Sequence, residues 1–116
     1  MITIYHNNRC GKSRKACAFA TENDKGYSTY EYLKEGISME QIKEILAKGQ
    51  YSVDDILRKG EAVFKEVYKG KELNEEALIQ AIIKHPILLQ RPIAVGSDFA
   101  LILRDEESLI KFIAHS

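Results

Sequence analysis

The sequence predicts an α/β fold built around a mixed four-stranded sheet, and three observations carry that expectation. A β-branched and aromatic run opens the chain at residues 2–5. A helical pattern and a second alternating run follow it directly, in the order of a parallel strand–helix–strand unit. Two more apolar runs, at 93–96 and 100–104, lie close enough for a hairpin and precede a last helical pattern.

Each element has its own signal. "ITIY" at 2–5 reads as the first strand. In "GKSRKACAFATEND", residues 11–24, Ala16, Cys17, Phe19 and Ala20 recur at helical spacing, and Gly26 lies just past the expected end. "YSTYEYL" at 27–33 alternates and predicts the second strand. Ser38 and Gln41 have the spacing of a capping box, opening a helix that runs to Lys48. Ser52 and Asp55 open a shorter helix ending near Lys59, and "EAVFKEV" continues as a helical or irregular link. Asn74, followed by Glu75 and Glu76, starts another helix that Pro86 stops. After "IAVG" and "ALILR", Asp105 caps the closing helix "DEESLIKFIAHS".

This order, β-α-β, a helical insertion at 38–86, then β-β-α, places Cys10 at the first strand-to-helix turn. It fits a single thioredoxin-like domain over residues 1–116. The first two strands are expected to be parallel and the last two to form a hairpin.

Composition narrows the function. Hydrophobic residues make up 45% of the 116, enough for a packed core. No apolar run approaches the roughly 20 residues of a membrane span, and the start lacks the pattern of a secretory signal. A cytoplasmic monomer that binds no membrane is expected. The 17 basic and 17 acidic residues cancel, which argues against non-specific binding to nucleic acid. His6, His85 and His115 are scattered, and no zinc-ligand spacing surrounds Cys10 or Cys17, so no metal site is expected.

"HNNRCGKSRK", residues 6–15, holds the chemistry. It carries Arg9, Lys12, Arg14 and Lys15 with no acid among 9–15. A helix starting at Gly11 would set Cys10 where free amides and the positive end of the helix dipole favour an anion. Those effects and the adjacent cations lower a thiol pKa, and the thiolate is the nucleophile. The same amides could cradle a small oxyanion. Cys17, among Ala16, Phe19 and Ala20, reads instead as core packing. Seven residues of helix separate the two cysteines by roughly 10 Å, beyond the roughly 7 Å limit between disulfide-bonded Cα atoms.

Two look-alike motifs fail. A P-loop ending in "GKS" at 11–13 needs glycine where His6 stands. A thiol phosphatase loop needs arginine where Ala16 stands. Ser13 occupies the third position after Cys10, so there is no CxxC pair, and a disulfide on Cys10 needs an outside thiol or a large rearrangement to resolve it.

With "ITIYHNNRCGKSR", "ILRK" at 56–59, "HPILLQRPIAV" at 85–95 and "LILR" at 101–104, the chain resembles the ArsC family, the glutaredoxin-linked arsenate reductases and their relatives. The resemblance implies that Cys10 attacks arsenate. Glutathione then acts as co-substrate through a mixed disulfide, glutaredoxin restores the thiol, and no cofactor stays bound. It places three substrate-gripping arginines at Arg58, Arg91 and Arg104, and guanidinium forks suit tetrahedral oxyanions. It adds His6 near the thiol and Ser13 as a hydroxyl that could bond the thiolate. Gly11 and Lys12 of the loop are expected supporting residues, although Lys12 stands where relatives commonly have a hydroxyl residue. Pro92 is expected as the cis-proline that thioredoxin-like domains set facing the active cysteine. Two other readings share the resemblance: a glutathione-dependent thiol or disulfide reductase with a different substrate, and an Spx-like regulator that grips RNA polymerase.

Overall fold

The computed structural model describes residues 2–7, 9–68 and 70–114. His115 and the last residue of the expected closing helix lie outside that range. Strand β1 (Thr3–Tyr5) leads into helix α1 (Gly11–Glu22), and strand β2 (Ser28–Tyr30) follows. The helical insertion comprises α2 (Tyr32–Glu35), α3 (Met39–Gly49), α4 (Val53–Ile56), α5 (Ala62–Tyr68) and α6 (Glu75–Lys84). A 3₁₀ turn at Pro86–Leu88 leads to β3 (Ile93–Val95), β4 (Ala100–Ile102) and α7 (Glu106–Ala114).

The four strands form one sheet in the order β2-β1-β3-β4. β1 pairs parallel with β2, Tyr5 opposite Tyr30, and antiparallel with β3, Tyr5 opposite Ile93. β3 and β4 form the expected antiparallel hairpin. This is the thioredoxin-like α/β arrangement predicted from the element order.

The two-residue period of the strands sorts the core onto two faces. Ile4 and Ala94 pack with Ala16, Ala20, Leu109 and Phe112, the buried residues of α1 and α7. Tyr5, Ile93, Val95, Ala100 and Ile102 face the other way, against Ile42, Ile45, Ile56, Ile79 and Ile82 of the insertion. The insertion therefore covers one face of the sheet as the core helices cover the other.

The caps behave as their side chains dictate. Ser38 and Gln41 satisfy each other's backbone N–H groups at 3.2 and 2.9 Å. Asn74 accepts from the Ala77 N–H at 2.8 Å, and Asp105 from the Ser108 N–H at 2.9 Å. Two expectations need correction. The second strand ends at Tyr30, and Tyr32 and Leu33 belong to α2, because Lys34 and Glu35 N–H groups turn back to the Glu31 carbonyl. The short helix stops at Ile56 rather than near Lys59, since Leu57 leaves it to form a β-bridge with Leu89.

Candidate active site

The loop between β1 and α1 is folded by Asn7. Its side chain accepts from the Arg9 N–H at 3.0 Å and its carbonyl from the Cys10 N–H at 2.9 Å. Its own N–H donates to the Ser13 hydroxyl at 3.3 Å. These bonds close the turn in the way asparagine favours, and they hold Cys10 at the N-cap of α1 in extended backbone. The first turn of α1 carries no acid, and Lys12, Arg14 and Lys15 crowd its positive end. Such a charge pattern opposes the helix dipole. It suits a helix start built to receive an anion.

The opposite wall comes from the insertion. Between Leu57 and Leu89, the Arg58 N–H donates to the Leu88 carbonyl at 2.7 Å and the Gln90 N–H to the Ile56 carbonyl at 2.8 Å. This small ladder sets Arg58 beside Gln90 and Arg91. The Arg91–Pro92 peptide is cis, and Pro92 is fully buried at the entrance to β3, with its carbonyl bonded to the Leu103 N–H.

Cys10, Gly11, Lys12, Arg58, Gln90 and Arg91 line one pocket of about 410 Å³. It holds a thiol and three cationic side chains, and none of these lining residues is an acid. Burial pushes the Cys10 thiol up, but the N–H groups of Ser13 and Lys12 and the guanidinium of Arg91 favour its anion more strongly. The net result is a pKa below the ordinary thiol value. Arg91 Nε is itself buried without a hydrogen-bond partner among the described residues. An unpaired donor is costly unless something fills the place of its acceptor.

Cys17 behaves oppositely. It is half-buried against the cluster that holds Ala16 and Ala20, and burial raises its pKa, with the Tyr27 hydroxyl opposing. Both cysteines are free thiols.

The structure brings Cys10, Gly11, Lys12, Arg58 and Arg91 to one pocket, and Pro92 follows Arg91 in the chain without lining it. Ser13 is buried, but its hydroxyl serves the Asn7 N–H, and its backbone N–H addresses the Cys10 sulfur. His6 does not line this pocket. Its Nδ1 lies 3.7 Å from the Cys17 sulfur, and burial holds the imidazole below its ordinary pKa, with Glu31 opposing and Arg14 assisting. Arg104 is exposed beyond the end of β4, where its charge acts on Asp105 and Asp55, and it too is absent from the pocket lining.

Three neighbours escaped the sequence reading. Gln90 lines the pocket. Glu61 pairs with Arg58 at a spacing of three, a signal legible in the sequence as an (i, i+3) charge pair. Tyr32 is fully buried, with a hydroxyl that has no partner among the described residues. Burial pushes its phenol up to about 12, with Arg91 opposing and Cys10 and Glu61 adding. No sequence pattern marks such a residue. Among the described residues no three His, Cys, Asp or Glu side chains cluster to hold a metal ion, and no helix is long and apolar enough to cross a membrane.

Comparison with known proteins follows the same lines. The model of the ArsC family matches residues 5–112. An arsenate reductase of Neisseria meningitidis is 33% identical over 93% of this chain and 94% of its own. The global transcriptional regulator Spx of Listeria innocua is 29% identical over 97% of this chain and 87% of its own. The solved structure of a putative arsenate reductase from Yersinia pestis superposes with a TM-score of 0.88 at 31% identity, covering 96% of this chain and 99% of that one. A cysteine at a helix start and a family match across nearly the whole length have one common account: this chain belongs to the ArsC family.

Proposed function

We propose that this protein is a thiol-dependent oxidoreductase that reduces arsenate, or a closely similar oxyanion, in the reducing cytoplasm, acting as a monomer. The observation that carries the reading is the convergence of Cys10, Lys12, Arg58 and Arg91 on one pocket. A multiply charged tetrahedral oxyanion supplies acceptors for the guanidinium forks and for the unpaired Nε of Arg91. The amides at the start of α1 offer further donors.

In this mechanism the Cys10 thiolate attacks arsenic(V), forming an S–As bond while one oxygen leaves as water with two protons. Arg58, Arg91 and Lys12 hold the remaining oxygens and offset their charge. Glutathione thiolate then attacks the Cys10 sulfur. The S–S bond forms, the S–As bond breaks, and its electron pair stays on arsenic, which departs as arsenite. A glutaredoxin thiolate attacks the glutathione sulfur and releases Cys10. Two thiols thereby supply the two electrons. Cys17 does not resolve the disulfide, because its sulfur faces His6 two turns along α1.

An arsenate reduction assay with and without glutathione and glutaredoxin tests this reading, run beside a glutathionylated peptide and a simple disulfide. Turnover of arsenate that needs both thiol components and vanishes in Cys10→Ser is expected. Full multiple turnover with a non-thiol reductant would contradict it, and preference for the peptide or disulfide would make another thiol substrate the better assignment. The likeness to Spx supports a regulatory reading, but Ser13 leaves no CxxC pair. Capture of RNA polymerase unaffected by Cys10→Ser, without arsenate turnover, would favour that role.

A further inference from the structure

Arg58 faces two ways. It lines the Cys10 pocket, and its Nη1 forms an ion pair with the Glu61 carboxylate at 2.5 Å, a contact of charges without the alignment of a hydrogen bond. Glu61 itself is not among the pocket-lining residues, so it grips the guanidinium from behind. The two side chains are 26% and 24% exposed, whereas the other ion pairs among the described residues are more open, at 27% and 43%, 56% and 63%, and 64% and 80%. Withdrawal from water reduces screening and strengthens the pair relative to those surface pairs.

The backbone beneath the pair is fixed as well. Arg58 N–H is bonded to Leu88, Glu61 N–H to the Arg58 carbonyl at 3.3 Å, and the Glu61 carbonyl accepts from Phe64 and Lys65 at the start of α5. Both Cα positions are therefore set before any ligand arrives. A guanidinium is a rigid plane with five N–H donors, so a carboxylate charge drawing on one edge limits where the other edge can turn. An unpaired arginine loses side-chain freedom when it captures an anion, and holding it in advance removes part of that cost.

We propose that Glu61 is a positioning residue for Arg58: its carboxylate holds the guanidinium so that the remaining N–H donors face the cavity beside Cys10. The role rests on the reading of that cavity as an oxyanion site. Two effects of Glu61 oppose each other there. Its charge weakens the attraction for an anion, and its grip strengthens the fork that receives one. Arg58 stands between Glu61 and the cavity, so the orienting effect outweighs the more distant repulsion.

Glu61→Ala and Glu61→Gln both remove the charge in the full-length protein, and glutamine keeps the length and shape of the side chain. One readout needs no ligand: the order of the Arg58 Nε–Hε group by ¹⁵N relaxation. The other is the sulfate concentration that half-protects Cys10 from iodoacetamide, sulfate being a tetrahedral dianion that this chemistry does not reduce. Glu61→Ala is expected to lose the Arg58 order and to need about tenfold more sulfate, the equivalent of about 1.4 kcal/mol. Glu61→Gln is expected to lose most of both as well, since the hold is one of charge, and Glu61→Ala to add nothing once Arg58 is alanine.

Unchanged Arg58 order in Glu61→Ala would overturn the proposal. So would tighter sulfate binding in both variants, or an equal loss without Arg58. If sulfate fails to protect wild type and arsenate is not reduced, the oxyanion reading falls, and the ligand-free order of Arg58 alone decides the positioning role.

Discussion

The backbone N–H of Arg58 donates to the carbonyl of Leu88 at 2.7 Å, tying the helical insertion to the segment that delivers Arg91. Thirty residues of chain separate the two partners, yet the bond and the adjoining Leu57–Leu89 bridge put two guanidinium groups on one wall. The loop before α1 supplies the sulfur, and this bridge supplies guanidinium charge around it.

Leu89 is fully buried at that bridge. Leu89→Ala leaves a cavity beneath the wall and is expected to lower stability by about 2–5 kcal/mol, measured by urea unfolding. Under conditions where the variant remains folded, KM for the oxyanion should rise, because Arg58 and Arg91 lose their common support. Unchanged KM in a destabilised variant would show that the bridge serves the fold alone.

The thiols should separate by reactivity. Cys10 lies below the ordinary thiol pKa and Cys17 above it. As pH rises, Cys10 ionises first, so alkylation near neutral pH should modify Cys10 ahead of Cys17, as read by mass spectrometry of the labelled peptides. Arg91→Ala removes a hydrogen bond and a positive charge from the thiolate, so the Cys10 titration should move to higher pH. A wild-type midpoint at the roughly 8.5 of free cysteine would count against a catalytic sulfur.

Arg91→Lys keeps a positive charge and discards the planar fork. Hydrogen bonds to charged groups contribute about 1.5–3 kcal/mol each, so kcat/KM for the oxyanion should fall about tenfold to a hundredfold. Steady-state kinetics would check this. Wild-type kcat/KM in the lysine variant would mean that charge, rather than geometry, recognises the substrate.

Tyr32 buries a hydroxyl with no partner among the described residues. Tyr32→Phe removes that unpaired group and keeps the ring, so thermal stability should hold or rise. The wild-type phenol should stay un-ionised until about pH 12 in an ultraviolet titration, provided the protein remains folded. A clear loss of stability in Tyr32→Phe would reveal a hydrogen bond made in solution.

Much of the fold is legible because its signals are local. Ser38, Asn74 and Asp105 cap helices as side chains of their type do, and the short β-branched runs pair as strands. "YSTYEYL" misleads beyond Tyr30, because alternation alone does not show where the backbone turns back on itself. The cysteine, its basic loop and the arginine before Pro92 are likewise visible in one dimension.

The sequence by itself determined the order of elements, the helix caps and the placing of a thiol at the positive end of a helix, since each depends on neighbours a few residues apart. Tertiary structure decided which cations reach that thiol: Arg58 and Arg91 line its pocket, Arg104 does not, and His6 turns to Cys17. Glu61 behind Arg58 and the buried phenol of Tyr32 were decided there too. Hydrogen bonding and charge act over a few ångströms of space, and only the folded chain sets those distances.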